Sequence, residues 1–335
     1  MNDVLPFPKI SRLSDAPDIA SSDDPSHSPA VPEVERARLY AALERGASTT
    51  RAYEGDFSTF SRWCAPRGLK ALPATPETVA SFLASEADQG LNPATLTRRL
   101  AAIRATHVEQ GHSNPAASAF VRATLKGIRR RHGRPASPKA AISAEMLFKM
   151  AEACPATPAG LRDRAILLLG FAGAFRRAEL ANLTREDLAI SGEGVRITVR
   201  RAKSDQEGRG SLLAIPRCVS ALCPVAALDD WLSASRITSG AIFRPLSKSG
   251  RLLDGALTGK SIAAIVKRYA QEVGLDASQI GGHSLRSGVL TAAAREGASV
   301  LDLMRLSRHK NAETLQGYVR AAEGFAQYPA KALFT

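Results

Sequence analysis

Cysteine is scarce in this chain. The four residues, at positions 64, 154, 218 and 223, form no C-x-x-C pair and no zinc spacing with histidine. That argues against a disulfide framework or a zinc module, and free thiols in a reducing cytosol are the simplest account. Long apolar runs are also missing: the longest, Ala165 to Phe175, covers eleven residues, too short to span a bilayer. The acidic, proline-bearing start is unlike a signal peptide. A soluble cytoplasmic protein with no membrane partner is expected. A nucleotide loop is absent as well. Gly255-Ala-Leu-Thr-Gly-Lys-Ser261 has three residues between its glycines where the loop needs four, and no strand is evident before it. Neither a cofactor nor a metal is expected.

What is present is positive charge. The 335 residues carry a net +13, which points to a polyanion, with nucleic acid the first candidate. An apolar content of 44% in a chain of this length supports two cores and hence two domains. Residues 1–32 are rich in Pro, Ser and Asp, hold two basic against five acidic side chains, and read as a disordered tail.

Residues 33–132 read as helical throughout, with helices predicted at Val34–Arg45, Thr49–Cys64, Pro76–Ala87, Pro93–Glu109 and Ala116–Arg131. Such a set makes a compact bundle. Acid nearly vanishes from its second half. Arg98, Arg99, Arg104, Arg122, Lys126, Arg129, Arg130, Arg131, Arg134 and Lys139 face only Glu109, a local charge of +9. Solvated faces normally mix signs, so this stretch is expected to contact phosphates and to release them steeply as salt rises. Residues 133–142, Gly-Arg-Pro-Ala-Ser-Pro-Lys-Ala-Ala-Ile, form a linker stiffened by two prolines.

From residue 143 to 335 the pattern mixes helices with a short hairpin. Ser143 opens a capped helix, and further helices are predicted at Val225–Ser235 and Ser261–Val273, where Lys260, Lys267 and Arg268 offer more phosphate contacts. After the apolar run come Arg176 and Glu179, three apart, the carboxylate placed to hold a neighbouring cation in register. Val195, Ile197 and Val199 alternate with Arg196, Thr198 and Arg200 as in a half-buried strand, Lys203 follows in a polar loop, and Leu212–Ile215 reads as the return strand. Gly-His-Ser-Leu-Arg at 282–286 puts His283 and Arg286 three apart, able to hold one anion. Ser299 and Asp302 form a cap pair, His309 follows, and Tyr318 sits on a last helix that Asn311 caps.

A tyrosine beside fixed cations suits phosphoryl transfer, which needs a positioned nucleophile and positive charge around the equatorial oxygens. Each residue alone has an ordinary explanation as core, cap or solvated charge. Together, in this order, they resemble the tyrosine recombinases, or phage integrase family, with Cre-type members similar in the Gly-His-Ser-x-Arg motif and in length. The resemblance is close from about Ser143 onward and looser in the helical region before it.

The resemblance implies an α+β, mainly helical fold: an N-terminal SAM-like core-binding bundle and a C-terminal mixed α/β catalytic domain with a small antiparallel sheet, closing as a C-shaped clamp on DNA. Arg176, His283 and Arg286 would bind the scissile phosphate and His309 would donate a further hydrogen bond. Lys203 would be the general acid toward the leaving 5′ hydroxyl, Glu179 would support the site, and Tyr318 would form a 3′-phosphotyrosyl intermediate. Bond energy is conserved, so neither ATP nor metal is required. The partners implied are double-stranded recombination sites and three further copies of the chain, a homotetramer on DNA, giving integration, excision or resolution. Relaxation of the type IB topoisomerase kind, or a non-catalytic DNA-binding regulator, are the alternatives. Two details depart from the family pattern: Ser307-Arg308 precedes His309 where glycine is more usual, and Val319-Arg320 follows the tyrosine where many members carry histidine two residues on. Phe325, Tyr328, Leu333 and Phe334 in the final segment either pack on their own domain or, as the resemblance implies, dock into a neighbouring protomer.

Overall fold

The computed structural model describes residues 33, 36, 40, 45–134, 139–200 and 210–323, and the chain divides into two compact units between Ala136 and Ser137. The predicted tail over 1–32, nearly all of the helix predicted over 34–45, Lys203 and the final apolar segment lie outside the described residues. No helix among the described residues is long and apolar enough to cross a membrane.

The first unit holds α1 (Ala47–Cys64), α2 (Pro76–Asp88), α3 (Pro93–Glu109) and α4 (Ala119–His132). Their starts are written in the sequence. The Thr75 hydroxyl accepts from Thr78 N and Asn92 Oδ1 from Ala94 N, each with proline at the first helical position, where the missing N–H costs nothing. The last helix begins three residues later than the pattern predicts. Pro115–Ala117 forms a separate 3₁₀ turn under Asn114, and Ser118 caps α4 by accepting from Phe120 N. Phe60, Phe82, Leu83, Leu96, Ile103 and Val121 fill the core, with the Phe60 and Phe82 rings 5.0 Å apart. His107 is fully buried among them. Its Nδ1 donates to Ile103 O at 2.7 Å and its Nε2 accepts from Ala74 N at 2.8 Å, which fixes one neutral tautomer, and burial pushes its pKa down.

The second unit is built around α6 (Pro158–Ala172), whose Ile166, Leu167, Leu168 and Leu169 are all buried, so its second half is apolar on every side and sits inside the domain. Around it lie α5 (Ala144–Glu152), the short α7 (Arg177–Ala181), α8 (Pro224–Ser235), α9 (Gly259–Glu272) and α10 (Ser284–Arg295). Ser143 and Thr258 cap α5 and α9 by accepting from Met146 N and Ser261 N. Trp231 of α8, fully buried, keeps its indole N–H satisfied by donating to Ile242 O at 2.8 Å. The sheet is antiparallel in the order β1 (Leu188–Ile190), β2 (Gly194–Val199), β3 (Ser211–Pro216), with Ile197 opposite both Leu188 and Leu213. Val195, Ile197 and Val199 face the core as their alternation predicts, while β1, three residues long, is too short to show a period.

Two features hold the helices that carry the candidate site. Ile142 N donates to Ser284 O at 3.1 Å, and a Cβ on Gly288 would stand 2.0 Å from Ile142 O, so only glycine lets α10 lie this close to the incoming chain. A separate small core of Leu290, Leu303 and Leu315 binds α10, α11 (Val300–Ser307) and α12 (Glu313–Glu323) together, with Tyr318 packed at its edge.

Candidate active site

The apolar helix α6 ends in a tight turn, Gly173-Ala174-Phe175, with Ala174 in the left-handed region at φ 45°. Arg176 follows as the N-cap of α7, and Glu179 folds back to it twice. Its carboxylate accepts from Arg176 N at 3.0 Å and from Arg176 Nη1 at 2.6 Å. Oε2, the oxygen that takes Arg176 N, also accepts from Arg308 Nη2 at 3.0 Å. Burial alone would raise Glu179, but the Arg308 charge and the bonds from Arg176 outweigh it and hold the carboxyl below its ordinary value. Glu179 is therefore an ionised, buried brace between two guanidiniums.

Arg286, in the first turn of α10, is wholly buried. Its guanidinium donates to Ala174 O and Ser307 O, and its Nη2 lies 3.2 Å from His309 Nε2. It makes no ion pair with a carboxylate among the described residues, and its Nε has no hydrogen-bond partner there. Burial and the neighbouring Arg176 charge bring its pKa down to about 9, so it remains charged at neutral pH. A buried cation without a carboxylate is costly unless an anion shares the site.

His309 is bracketed from both sides. The Ser307 hydroxyl donates to Leu303 O at 2.6 Å, so its oxygen receives the Nδ1 proton of His309 across 2.7 Å, and Nε2 is left to accept from Arg286. Burial first, then the Arg286 and Arg176 charges, push the imidazole down to about 4. It is neutral at physiological pH. As arranged here Nδ1 donates and Nε2 accepts, so donation from Nε2 to a phosphate oxygen requires Arg286 to withdraw and Nε2 to gain a proton.

His283 precedes α10 and its ring reaches solvent. The Tyr318 hydroxyl lies 3.3 Å from its Nε2. The protein atoms around the ring and the Arg286 and Arg176 charges lower the His283 pKa, and burial raises that of Tyr318 against the pull of Arg286. A neutral phenol therefore faces a neutral imidazole able to take its proton. Asn311 Oδ1 accepts from Glu313 N at 2.8 Å, starting the helix that brings Tyr318 there.

The model of the phage integrase family matches residues 141–324, and that of the phage integrase N-terminal SAM-like domain matches residues 38–110. The chain belongs to the phage integrase family. As a tyrosine recombinase it breaks and rejoins DNA strands in site-specific recombination. It is 40% identical over 295 residues to an integrase/recombinase xerD homolog of Selenomonas ruminantium, across 87% of this chain and 86% of that relative. It is 26% identical over 306 residues to the tyrosine recombinase XerD of Xanthomonas axonopodis pv. citri, across 87% and 92%. Among solved structures, a lambda integrase dimer bound to a COC′ core site superposes with a TM-score of 0.57 at 18% identity, over 87% of this chain and 95% of that one. The Tn1549 transposon integrase with transposon right end DNA gives 0.59 at 13%, over 90% and 99%. Those two likenesses show a shared fold.

In the recombinase, then, Arg176, Glu179, His283, Arg286, His309 and Tyr318 gather at the junction of α7, α10, α11 and α12. In the N-terminal unit, Arg104, Arg122, Lys126, Arg129, Arg130, Arg131 and Arg134 are exposed on or beside α3 and α4. Two shallow grooves run between those helices, one lined by Thr97, Arg129 and Arg134, the other by Arg104, Asn114 and Arg122. Arg99 departs from its expected place. Asp56 of α1 and Glu86 of α2, acids distant in sequence, draw its guanidinium inward into ion pairs. Arg98 is exposed but bonded to the same Asp56 at 2.7 Å. In the second unit, Lys139 donates to Ser278 O, Lys260 and Lys267 are exposed, and Arg268 pairs with the buried Asp163. Sequence reasoning missed Ser307 and Arg308 as site members. The signal was present, since Arg308 stands where glycine is usual, but a departure from a motif does not say which way a side chain turns.

Proposed function

We propose that this recombinase cleaves one strand of a specific DNA site with Tyr318 and passes the cut end to a second duplex. The Tyr318 oxygen attacks phosphorus while its proton moves to His283 Nε2. The P–O5′ bond breaks, leaving a 3′-phosphotyrosyl bond and a 5′ hydroxyl whose proton comes, in the role the family implies, from Lys203. Arg176 and Arg286 supply fixed positive charge to the equatorial oxygens. Attack by the 5′ hydroxyl of the partner duplex reverses these steps and restores Tyr318. The exposed basic face of α3 and α4 supplies phosphate contacts that hold the duplex in register. Four copies on two sites complete the exchange.

One observation carries this reading. A phenol stands 3.3 Å from an imidazole kept neutral, beside a wholly buried guanidinium that makes no direct ion pair with a carboxylate among the described residues. The test uses a duplex selected from a random-sequence pool for binding to the full chain, cloned twice into one plasmid. Exchange between the two copies, seen as a deletion circle or an inversion, is the expected result. Relaxation of supercoils without exchange would point to topoisomerase-like action, and binding without either to a regulator.

A further inference from the structure

We propose that Arg308 is a positioning residue of this site, a guanidinium that locks Glu179 and the Gly173–Ala174 turn and through them fixes Arg176 and Arg286. The inference rests on the recombinase reading above and goes beyond it by naming what holds the phosphate-binding arginines in place.

Arg308 ends α11 in the left-handed region at φ 58°, a conformation that favours glycine, and its side chain is only 6% exposed. A long cation in strained backbone, taken out of water, is an unfavourable choice that persists where the surroundings require it. Its contacts show the requirement. Nη1 donates to Gly173 O and to Leu306 O, both at 3.0 Å; Nη2 donates to Ala174 O at 3.1 Å and to Glu179 Oε2 at 3.0 Å; the plane lies 4.9 Å from the centre of the Phe175 ring. Each acceptor at Nη2 is shared with a candidate phosphate ligand. Glu179 also holds Arg176, and Ala174 O also receives Arg286. Ala174 is itself left-handed at φ 45°, so two strained non-glycine residues meet through one hydrogen bond. A lysine has no planar fork to fill four acceptors at once.

These bonds join the segment that carries His309 to the one that carries Arg176 and Glu179. Without Arg308, the buried Glu179 would face Arg176 and the more distant Arg286 charge alone. Its carboxyl would then titrate at higher pH and Arg176 would lose its brace.

Arg308→Gly is the informative variant, because glycine suits the left-handed backbone while the whole side chain, guanidinium included, is removed. Single-turnover cleavage is measured from pH 4.5 to 8 on the selected duplex, nicked so that the cut end diffuses away. The variant is expected to bind the duplex like the wild type and to cleave it about 10- to 100-fold more slowly. Its acid limb, set in the wild type by His283, should move to higher pH as the freed Glu179 begins to titrate in the same range. Arg308→Lys should restore the acid limb and not the rate. On a Glu179→Gln background the Arg308→Gly change should add little further loss, as for two parts of one unit. If Arg308→Gly does not fold, Arg308→Lys carries the test, with a wild-type rate contradicting the proposal. A rate loss with an unmoved acid limb, additive to Glu179→Gln, would reduce Arg308 to a helix-end residue and overturn it. Wild-type protein that leaves no adduct would overturn the recombinase reading and this role together, whereas an active wild type matched by Arg308→Gly overturns this role alone.

Discussion

The hydroxyl of Tyr318 and Nε2 of His283 meet at 3.3 Å although 35 residues separate them, because α10 and α12 share the small core of Leu290, Leu303 and Leu315. That core is what places nucleophile beside base. His283 must be neutral to take the phenol proton, and its pKa lies below the ordinary histidine value, so cleavage should be complete at neutral pH and fall only as pH drops below about 6.5. His283→Gln keeps a hydrogen-bond partner for the phenol and loses the base. Single-turnover cleavage should slow by about 10²- to 10⁴-fold with duplex affinity nearly unchanged. An undiminished rate would remove His283 from the proton path.

Stability should carry a histidine signature in acid. His309 titrates at about 4 in the folded chain against an ordinary value near 6.5, so between these values the unfolded chain binds more protons. Folding stability therefore rises with pH across that window and is lost as pH falls through it. Calorimetric melting of His309→Gln from pH 4 to 7 should show a shallower dependence than the wild type. Parallel curves would contradict the buried, neutral imidazole.

The basic stretch should split into two kinds of residue. Arg129 is exposed in a groove, so Arg129→Ala should weaken binding alike for all sequences and lower the salt-dependence slope by roughly 1. Arg99 pairs with Glu86 and Asp56 in the bundle. Arg99→Ala should leave the salt slope unmoved and destabilise the N-terminal unit by about 3 kcal/mol, the cost of stranding the buried Glu86 carboxylate while Asp56 keeps Arg98. Fluorescence anisotropy over a salt series and urea melts separate the two outcomes.

Gly288→Ala tests the approach of α10 to the chain at Ile142. A methyl group there would meet a carbonyl oxygen at 2.0 Å, so the helix must shift and carry Arg286 with it. A loss of about 1–3 kcal/mol in urea unfolding is expected, together with slower cleavage. Gly127→Ala in α4 meets nothing within 4 Å and should raise stability slightly, by up to about 1 kcal/mol.

Much of this was legible in the sequence, and the physics says which parts. Helix starts carried Ser, Thr or Asn caps, with proline at the first turn of α2 and α3, so α2, α3, α5, α9 and α11 begin at or within two residues of where local chemistry puts them. Ala116 misled because a 3₁₀ turn and an α-helix share their first residues' composition, and only Ser118 chooses between them. The site residues were readable because phosphoryl transfer needs cations and a phenol at motif spacings. Arg99 was not, since the acids that draw it inward lie on other helices. Arg308 was visible only as an oddity, because its partners, Gly173 O, Ala174 O and Glu179, are more than a hundred residues away.

The central claim is that the phenol of Tyr318 becomes covalently bound to DNA. The most direct test is to trap the reaction on a nicked duplex carrying the selected site, digest the denaturant-resistant adduct, and locate the nucleotide by mass spectrometry. A peptide modified at Tyr318 through a 3′-phosphate, with no adduct from a Tyr318→Phe protein that still binds the duplex, is the result predicted here. An adduct on another residue, or one that survives Tyr318→Phe, would contradict it.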